Sequence, residues 1–149
     1  MYKQIIIARR DLNLSQGKLA AQCSHGSMAF LTTMIKNNYS KWISSNDFYY
    51  TSELTFDQDL YEQWIDGEFT KCVLEAKNKN QLLKAKTMAE EMGMKEGEDF
   101  WLIKDNCRTE LEPEETDENG VGRTLTCIGF RPFPSEIIDK IGKKYQLYK

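Results

Sequence analysis

A run of isoleucines near the start of the chain constrains the fold more than any other feature. The segment Lys3 to Ala8 is β-branched and wholly apolar in its middle, which is typical of a strand buried on both faces. Such a strand belongs inside a mainly parallel or mixed sheet with both faces covered. The sequence therefore predicts an α/β protein in which Arg9, Arg10 and Asp11 end the first strand.

Apolar periodicity and capping residues predict the other elements, with Ser15 as the N-cap of the first helix. The predicted helices cover Gln16 to Lys36, Thr55 to Gly67, Asn78 or Asn80 to Gly93, and, after Ser135 as cap, Glu136 to Ile141. The further strands cover Thr70 to Ala76, Asp99 to Lys104, and Arg123 to Phe130. This order predicts one three-layer α/β/α domain over residues 1–149, with a mixed four-stranded sheet and helices on both faces.

Missing motifs exclude several kinds of enzyme. The chain has no Gly-x-x-x-x-Gly-Lys-Ser/Thr phosphate loop, no Gly-x-Gly-x-x-Gly, no Gly-x-Ser-x-Gly and no His-Glu-x-x-His. A single histidine, His25, argues against most zinc sites, and four dispersed cysteines are typical of packing residues in a reducing compartment. No apolar stretch approaches the ~18 residues that span a bilayer, so we expect a cytoplasmic protein with no membrane partner.

Charge is unevenly distributed along the chain. The net charge is −3, but residues 90–120 hold 12 acidic and 3 basic side chains. The other 118 residues carry 17 basic and 11 acidic side chains, a net charge of +6. A basic face is therefore compatible with an acidic chain, and basic faces attract phosphates.

The first predicted helix carries a distinct polar face. Lys18, Gln22 and His25 share it, and a lysine in the first turn is unfavourable beside the positive end of the helix dipole. Lys18 therefore needs a compensating group. One interpretation is an anion site at the helix start, and the other is a solvated helix face.

A second polar cluster follows an apolar strand. Asp105, Arg108 and Thr109 place a carboxylate, a guanidinium and a hydroxyl at one sheet edge. A carboxylate near an ammonium group can position or deprotonate water, and the ammonium can stabilise an oxyanion, as ester hydrolysis requires. The alternative is a simple turn, which Asp-Asn favours.

These residues resemble a known family. The segment Gly17 to His25 is similar to the Gly-Lys-x-Ala-Ala-Gln-x-x-His signature of the archaeal and eukaryotic type of peptidyl-tRNA hydrolase. The segment Asp105 to Glu110 resembles the family's Asp-x-x-[Arg/Lys]-Thr-[Gln/Glu] motif, and Thr124 to Gly129 resembles its Thr-x-x-x-Ile-Gly strand. Ser135 to Lys140 is similar to its final helix.

The resemblance implies a frequently dimeric α/β/α enzyme that hydrolyses the ester between a peptide and the 3′ end of tRNA, without a metal or organic cofactor. Its partner would be peptidyl-tRNA, bound at the acceptor end. The family's functional residues fall on Lys18, Gln22, His25, Asp105, Thr109 and Thr124. Asp105 would orient or deprotonate the attacking water, while Lys18 would tune Asp105 and stabilise charge on the ester oxygen. Thr109 and Thr124 would donate hydrogen bonds, and Gln22 and His25 would hold the substrate or neighbouring groups.

Four basic residues near the same sheet edge are candidates for contacts with the acceptor-end phosphates: Arg9, Arg10, Lys104 and Arg108. The acidic segment, Glu110 to Gly122, is predicted to be a long hairpin connection. Because its charge would repel tRNA, we expect it to point away from Lys18.

Three residues depart from the family pattern. Asn106 and Cys107 stand where small residues are common, and Phe130 stands where proline is usual. The regions 39–66 and 110–122 are expansions. These departures keep two alternatives open: a catalytically impaired tRNA- or protein-binding module on the same fold, and hydrolysis of another aminoacyl or peptidyl ester.

Overall fold

Strand β1 (Tyr2–Arg9) runs through the middle of the sheet in the computed structural model, which describes residues 1–149. Ile5 and Ile7 belong to the larger hydrophobic core, whereas Ile6 and Ala8 belong to a second, smaller cluster. None of these four side chains is more than 1% exposed. The strand is therefore buried on both faces, as its composition predicts.

The structure contains four α-helices, a π-helix and nine strands. Helices α1 to α4 cover Gln16–Asn37, Gln58–Leu60, Lys79–Glu91 and Ser135–Gly142, and the π-helix covers Tyr61–Glu68. Strands β2 to β9 cover Tyr39–Ser44, Asp47–Ser52, Lys71–Ala76, Phe100–Asp105, Glu115–Thr116, Gly122–Phe130, Phe133–Pro134 and Gln146–Leu147. The helix predicted over 55–67 is thus one α-helical turn followed by a π-helix.

The main sheet is mixed, as predicted, but it has seven strands rather than four. Its central order is β5-β7-β1-β4-β9, with β6 paired to β7 and β8 paired to β1. The β1–β4 pair is parallel and the other pairs are antiparallel. The extra strands β6, β8 and β9 are two residues long, and segments this short carry no alternation that sequence analysis can detect.

Strands β2 and β3 form a separate antiparallel hairpin that the sequence does not predict. Almost every residue of the hairpin is exposed on both faces. It is held by aromatic pairs across the strands, including Trp42 stacked on Tyr49 with ring centroids 4.6 Å apart. Because neither face is buried, the apolar and polar residues follow no strand periodicity.

Side chains and backbone geometry mark the helix ends. The Ser15 and Asn78 side chains each accept a hydrogen bond from the backbone N–H three residues on. Ser15 is therefore the N-cap that the sequence predicts, and of the two predicted alternatives, Asn78 and Asn80, the cap is Asn78. Gly93, with φ +85°, follows α3. Ser135 is not a cap: it is the first residue of α4, and its hydroxyl donates to the Met1 carbonyl oxygen.

Helix α1 lies directly on β7 through two glycines. A Cβ on Gly129 would stand 2.1 Å from the carbonyl oxygen of Gly26, closer than any real contact. The close approach fixes the height of α1 above the sheet. It therefore also fixes where the side chains of the α1 polar face meet β5.

No helix combines the length and the apolar composition that crossing a membrane requires. The four cysteines are free thiols, and Cys127 is fully buried against the backbone of α1. Burial raises the pKa of the Cys127 thiol far above its ordinary value, so this cysteine is a packing residue.

Candidate active site

Asp105 is the centre of the candidate site. It is the last residue of β5 and only 8% exposed, and its carboxylate accepts three hydrogen bonds. Oδ1 accepts from Lys18 Nζ at 2.8 Å and from Gln22 Nε2 at 3.1 Å, while Oδ2 accepts from the backbone N–H of Cys107 at 2.9 Å. The two motifs separated in the sequence therefore meet at one carboxylate.

Gln22 is held in place from the opposite side by Thr126. The Thr126 hydroxyl donates to Gln22 Oε1 at 2.6 Å, which orients the amide nitrogen toward Asp105. Thr126 is the extra residue of a β-bulge, because Ile103 pairs with Cys127 and the next residue of β5 pairs with Leu125. The sequence analysis missed Thr126, since a bulge breaks the alternation that assigns strand residues to faces.

Lys18 connects Asp105 to Thr109. Its ammonium group donates to Asp105 Oδ1 and to Thr109 Oγ1 at 3.0 Å, and its side chain is 15% exposed. The compensating group that Lys18 needs in the first turn of α1 is therefore a carboxylate of this chain. Because the Thr109 hydroxyl accepts this bond, its own proton stays available for a ligand.

The environment keeps Asp105 ionised. Burial works to raise the pKa of the Asp105 carboxyl, but the hydrogen bonds from Lys18, Cys107 N and Gln22 and the Lys18 charge outweigh it and lower the pKa below its ordinary value. A carboxylate with a lowered pKa is a weaker base than a free one, and because it stays ionised it only accepts hydrogen bonds. The geometry thus favours holding a water molecule over removing its proton early.

The lowered pKa predicts how Asp105 contributes to stability at different pH values. As the pH falls, the Asp105 carboxyl is protonated in the unfolded chain before it is protonated in the folded chain. Its contribution to stability is therefore complete above the unfolded-state pKa of about 3.9 and is lost as the pH falls through the lower folded-state pKa. Urea unfolding of the native chain and Asp105→Asn should give a constant free-energy difference from pH 7 to about pH 5. The difference should shrink below about pH 4, and a difference that stays constant there would contradict the lowered pKa.

The loop after Asp105 is both a turn and part of the site. Cys107 has a φ of +58°, which costs a side-chain-bearing residue about 1 kcal/mol, and this conformation directs its N–H at Asp105. Asn106 is exposed, whereas Phe130 is fully buried against Phe100 in the core. The Phe130 departure is therefore accommodated by core packing.

The structure gives the Thr124 hydroxyl partners within the protein, and its role as a donor to the substrate stays a prediction. Thr124 is fully buried, and its hydroxyl donates to the carbonyl oxygen of Glu112 at 2.6 Å and accepts from the Glu114 N–H. The hydroxyl proton is therefore used within the protein. Thr124 thus anchors the acidic segment to β7.

Arg9 is also unavailable to phosphates, contrary to expectation. It is 4% exposed and donates hydrogen bonds to the carboxylates of Asp11 and Glu114. Burial works to lower the pKa of the guanidinium, but these bonds raise it above its ordinary value. Arg10 is half exposed, and its guanidinium contacts the Lys149 carbonyl oxygen, lies over the Tyr148 ring and stands 3.7 Å from the Glu75 carboxylate.

The expectation that the acidic segment points away from Lys18 is wrong. Its first residue, Glu110, accepts hydrogen bonds from the Ser15 N–H and hydroxyl at the start of α1, where the Lys18 charge helps to lower the Glu110 pKa. Within the segment, Glu115 forms an ion pair with Lys104 at 2.6 Å. The segment is a hairpin as predicted, but it neutralises basic groups around the site.

Two of the predicted substrate-binding residues remain free. Arg108 and His25 are exposed, and neither side chain makes a hydrogen bond or an ion pair. His25 borders a recess of about 340 Å³ that also contains Gln22 and Asp105. These two side chains can therefore contact a ligand without breaking an internal bond.

The arrangement can hold a water molecule and stabilise negative charge. Asp105 supplies a carboxylate, Lys18 an ammonium group and Thr109 a free hydroxyl proton, all within one hydrogen-bonded unit. No three His, Cys, Asp or Glu side chains are grouped so that they could hold a metal ion. A carboxylate–ammonium site at the end of a strand is suited to hydrolysis of an activated ester.

Comparison with known proteins agrees with this chemistry. The family model described as peptidyl-tRNA hydrolase PTH2 matches residues 2–148. The chain is 28% identical over 145 residues to a Thermoplasma acidophilum protein, with 97% of each chain covered. It is 29% identical over 140 residues to a Thermococcus onnurineus protein, covering 94% of this chain and 92% of the relative, and 27% identical over 141 residues to a Saccharolobus islandicus protein, covering 95% and 94%. Each of these relatives is named peptidyl-tRNA hydrolase.

The chain is therefore a hydrolase, because the family model matches almost its whole length. It belongs to the peptidyl-tRNA hydrolase PTH2 family. Its activity is the hydrolysis of peptidyl-tRNA, and the alternative of an impaired binding module is not favoured.

Proposed function

We propose that Asp105 holds the water that attacks the ester between the peptide and the 3′ end of tRNA. Oδ2 accepts one hydrogen bond, from Cys107 N, so it keeps a lone pair for a water proton. Gln22 and Lys18 occupy Oδ1 and fix the carboxylate in one orientation. The water oxygen adds to the carbonyl carbon while one water proton moves toward Asp105.

Lys18 and Thr109 stabilise the charge that develops on the ester carbonyl oxygen. The ammonium group and the free hydroxyl proton both lie beside Asp105, so an oxygen bound near the water can contact them. When the intermediate collapses, the bond from carbon to the ribose 3′ oxygen breaks. That oxygen takes the proton from Asp105 and leaves as a hydroxyl group, so protons balance and no external acid is consumed.

Arg108 and His25 hold the acceptor end of the tRNA. Arg108 follows Asp105 by three residues and is the one residue of the four basic candidates without an acidic partner. Its guanidinium can bind a terminal phosphate, which sets affinity without reading sequence. The His25 imidazole can contact the terminal ribose or base.

Replacing Arg108 with glutamine is expected to raise the KM for peptidyl-tRNA and leave kcat within about twofold. Removing one phosphate contact should reduce the slope of log KM against log salt concentration by about 1. Steady-state kinetics measured between about 50 and about 300 mM KCl would show this, because counterion release is measurable over such a range. Lys84→Gln is the matched control, because Lys84 is an exposed, unpaired lysine on α3. Equal salt slopes for Arg108→Gln and Lys84→Gln would exclude the contact.

The decisive test of the proposal compares blocked and unblocked substrates. Purified protein is incubated with N-acetyl-aminoacyl-tRNA and with the free aminoacyl-tRNA, after chelator treatment, and release of the acyl group is followed. We expect rapid release from the blocked substrate alone. Absence of release by folded protein that still retains tRNA on a filter would instead support a binding module, with Asn106 and Cys107 as the first residues to revert.

Three broader features complete the proposal. The alternation of β1 side chains between two clusters, one with α3 and α4 residues and one with Leu19 and Cys23 of α1, supports a single three-layer α/β/α domain. The cytoplasm is the compartment in which translation supplies the substrate. A homodimer is the state that the resemblance implies, and sedimentation equilibrium would test it.

A further inference from the structure

Two separate recesses lie along α1 and β5, one at the candidate site and one toward the far end of both elements. At one end lies the near recess, which contains Gln22, His25 and Asp105 and measures about 340 Å³. At the other end lies a second recess of about 420 Å³. We call this one the far recess and define it by its apolar lining: Phe30, Met34, Phe56, Leu60 and Trp101.

The two recesses lie along the same faces of the same two elements. On β5, side chains alternate, so Trp101 in the far recess and Asp105 in the near recess point to one side with Ile103 between them. At the rise of a strand, Trp101 and Asp105 are roughly 13 Å apart. On α1, Gln22 and Thr33 border the near and far recesses, roughly 16 Å apart at the helical rise. The two recesses are thus aligned, and we call the line that joins them along α1 and β5 the groove; it is about four extended residues long.

The groove does not suit nucleic acid. The far recess is lined by the carboxylates of Asp57 and Glu98, and its one guanidinium, that of Arg131, is already bonded to Asp99 at 2.8 Å. Phosphates would be repelled there. Arg108, the unpaired cation of the site, follows the end of β5 that is opposite to the far recess, so a phosphate bound there lies away from the groove. His25 borders the near recess, where the terminal ribose and the peptide meet at the ester.

The edge of β5 suits a peptide. No named strand pairs with β5 on the side away from β7, although Glu96 forms a bridge to Phe100 and the Gly97 N–H donates to the Phe100 carbonyl oxygen at 2.8 Å. The outer backbone groups beyond Phe100 can therefore pair with an added extended segment. Such pairing is independent of side-chain identity, and a substrate whose peptide sequence varies requires this kind of recognition. Side chains of the added segment could still occupy the apolar far recess.

We propose that this groove binds the peptide part of the substrate in an extended conformation. The ester lies at Asp105, and the side chain about four residues before it enters the far recess against Trp101 and Phe56. This inference rests on the proposed function, because it takes Asp105 as the site of ester hydrolysis. It makes Trp101 a residue that determines peptide preference and takes no part in the chemistry.

The test varies the length and sequence of the peptide. Three substrates are compared on one tRNA: the N-acetylated single amino acid, and N-acetylated pentapeptides with leucine or glycine four residues before the ester. We expect kcat/KM to be about tenfold higher for the leucine pentapeptide than for the glycine one, as partial burial of a leucine side chain predicts. The single amino acid does not reach the recess.

Two variants locate the effect. Trp101→Ala removes the recess wall, and Thr33→Glu adds a charge on a half-exposed helix position without disturbing the core. Each should abolish the advantage of leucine over glycine and change hydrolysis of the single amino acid by less than twofold. Trp42→Ala, a tryptophan on the exposed hairpin, is the matched control and should leave all three rates unchanged.

The outcomes separate the inference from the proposed function. If the native chain cleaves none of the substrates, the proposed function fails. If it cleaves all three equally, or if Trp101→Ala and Thr33→Glu slow all three by the same factor, the function stands and the peptide groove is wrong.

Discussion

Replacing Asp105 with asparagine is expected to lower kcat for N-acetyl-aminoacyl-tRNA about a thousandfold, within the range that loss of a positioned acid–base group produces. Asparagine keeps the shape of the side chain but has neither a charge nor a basic oxygen for the water proton. The KM should change little, because Arg108 and His25 remain in place. Single-turnover release of the labelled acyl group would measure the chemical step directly.

The matched control for this variant is Asp66→Asn, which removes the same charge from an exposed residue whose side chain forms no hydrogen bond or ion pair. It should retain full activity. Lys18→Ala and the Lys18→Ala/Asp105→Asn double variant complete a cycle, and the double variant should be no slower than the worse single variant, because the two groups act as a unit. Activity within about tenfold of native for a folded Asp105→Asn protein would remove Asp105 from the reaction.

Gly129→Ala is expected to destabilise the protein by about 3 kcal/mol, the upper part of the range for overpacked cores. The new Cβ would stand 2.1 Å from the Gly26 carbonyl oxygen and 2.6 Å from two other backbone atoms of Gly26. Backbone cannot rotate away as a flexible side chain can, so α1 must lift from β7. Because α1 carries Lys18 and Gln22, a shift of about 1 Å should also lower kcat about a hundredfold in the folded fraction.

Gly17→Ala is the control for this stability measurement. A Cβ on Gly17 meets no atom within 4 Å, and alanine in a helix is favoured over glycine, so this variant should gain about 0.5 kcal/mol. Denaturant unfolding of both variants gives the comparison. A Gly129→Ala protein as stable as the native chain would show that α1 does not depend on this contact for its position.

The long elements of the fold could be predicted because each carries a local pattern. The isoleucines of β1, the cap Ser15 and the apolar stripe of α3 each specify an element without reference to distant residues. The hairpin of β2 and β3 has no buried face, so its sequence carries no alternation of apolar and polar residues. The three two-residue strands are too short to show such a pattern. The strand count was wrong for that reason.

The sequence predicts correctly that Lys18 and Asp105, at the centre of the candidate site, lie close together. Lys18 and Gln22 share one face of a helix, and Asp105 ends a strand, which brings polar groups together at a sheet edge. The sequence does not reveal which single side chains already have partners within the protein. Arg9 and Thr124 each look exposed and functional in the sequence, yet Glu114 and the Glu112 carbonyl oxygen engage them.

The residues of the candidate site lie far apart in the sequence, and this determines when the site can form during synthesis of the chain. Asp105 depends on Lys18 and Gln22, which precede it by 87 and 83 residues, and Gln22 in turn depends on Thr126, which is 104 residues further along. During its own synthesis this chain is itself a peptidyl-tRNA. Until residue 126 has been added, the growing chain lacks the group that orients Gln22, so a nascent copy has no assembled site with which to sever itself from the tRNA that carries it.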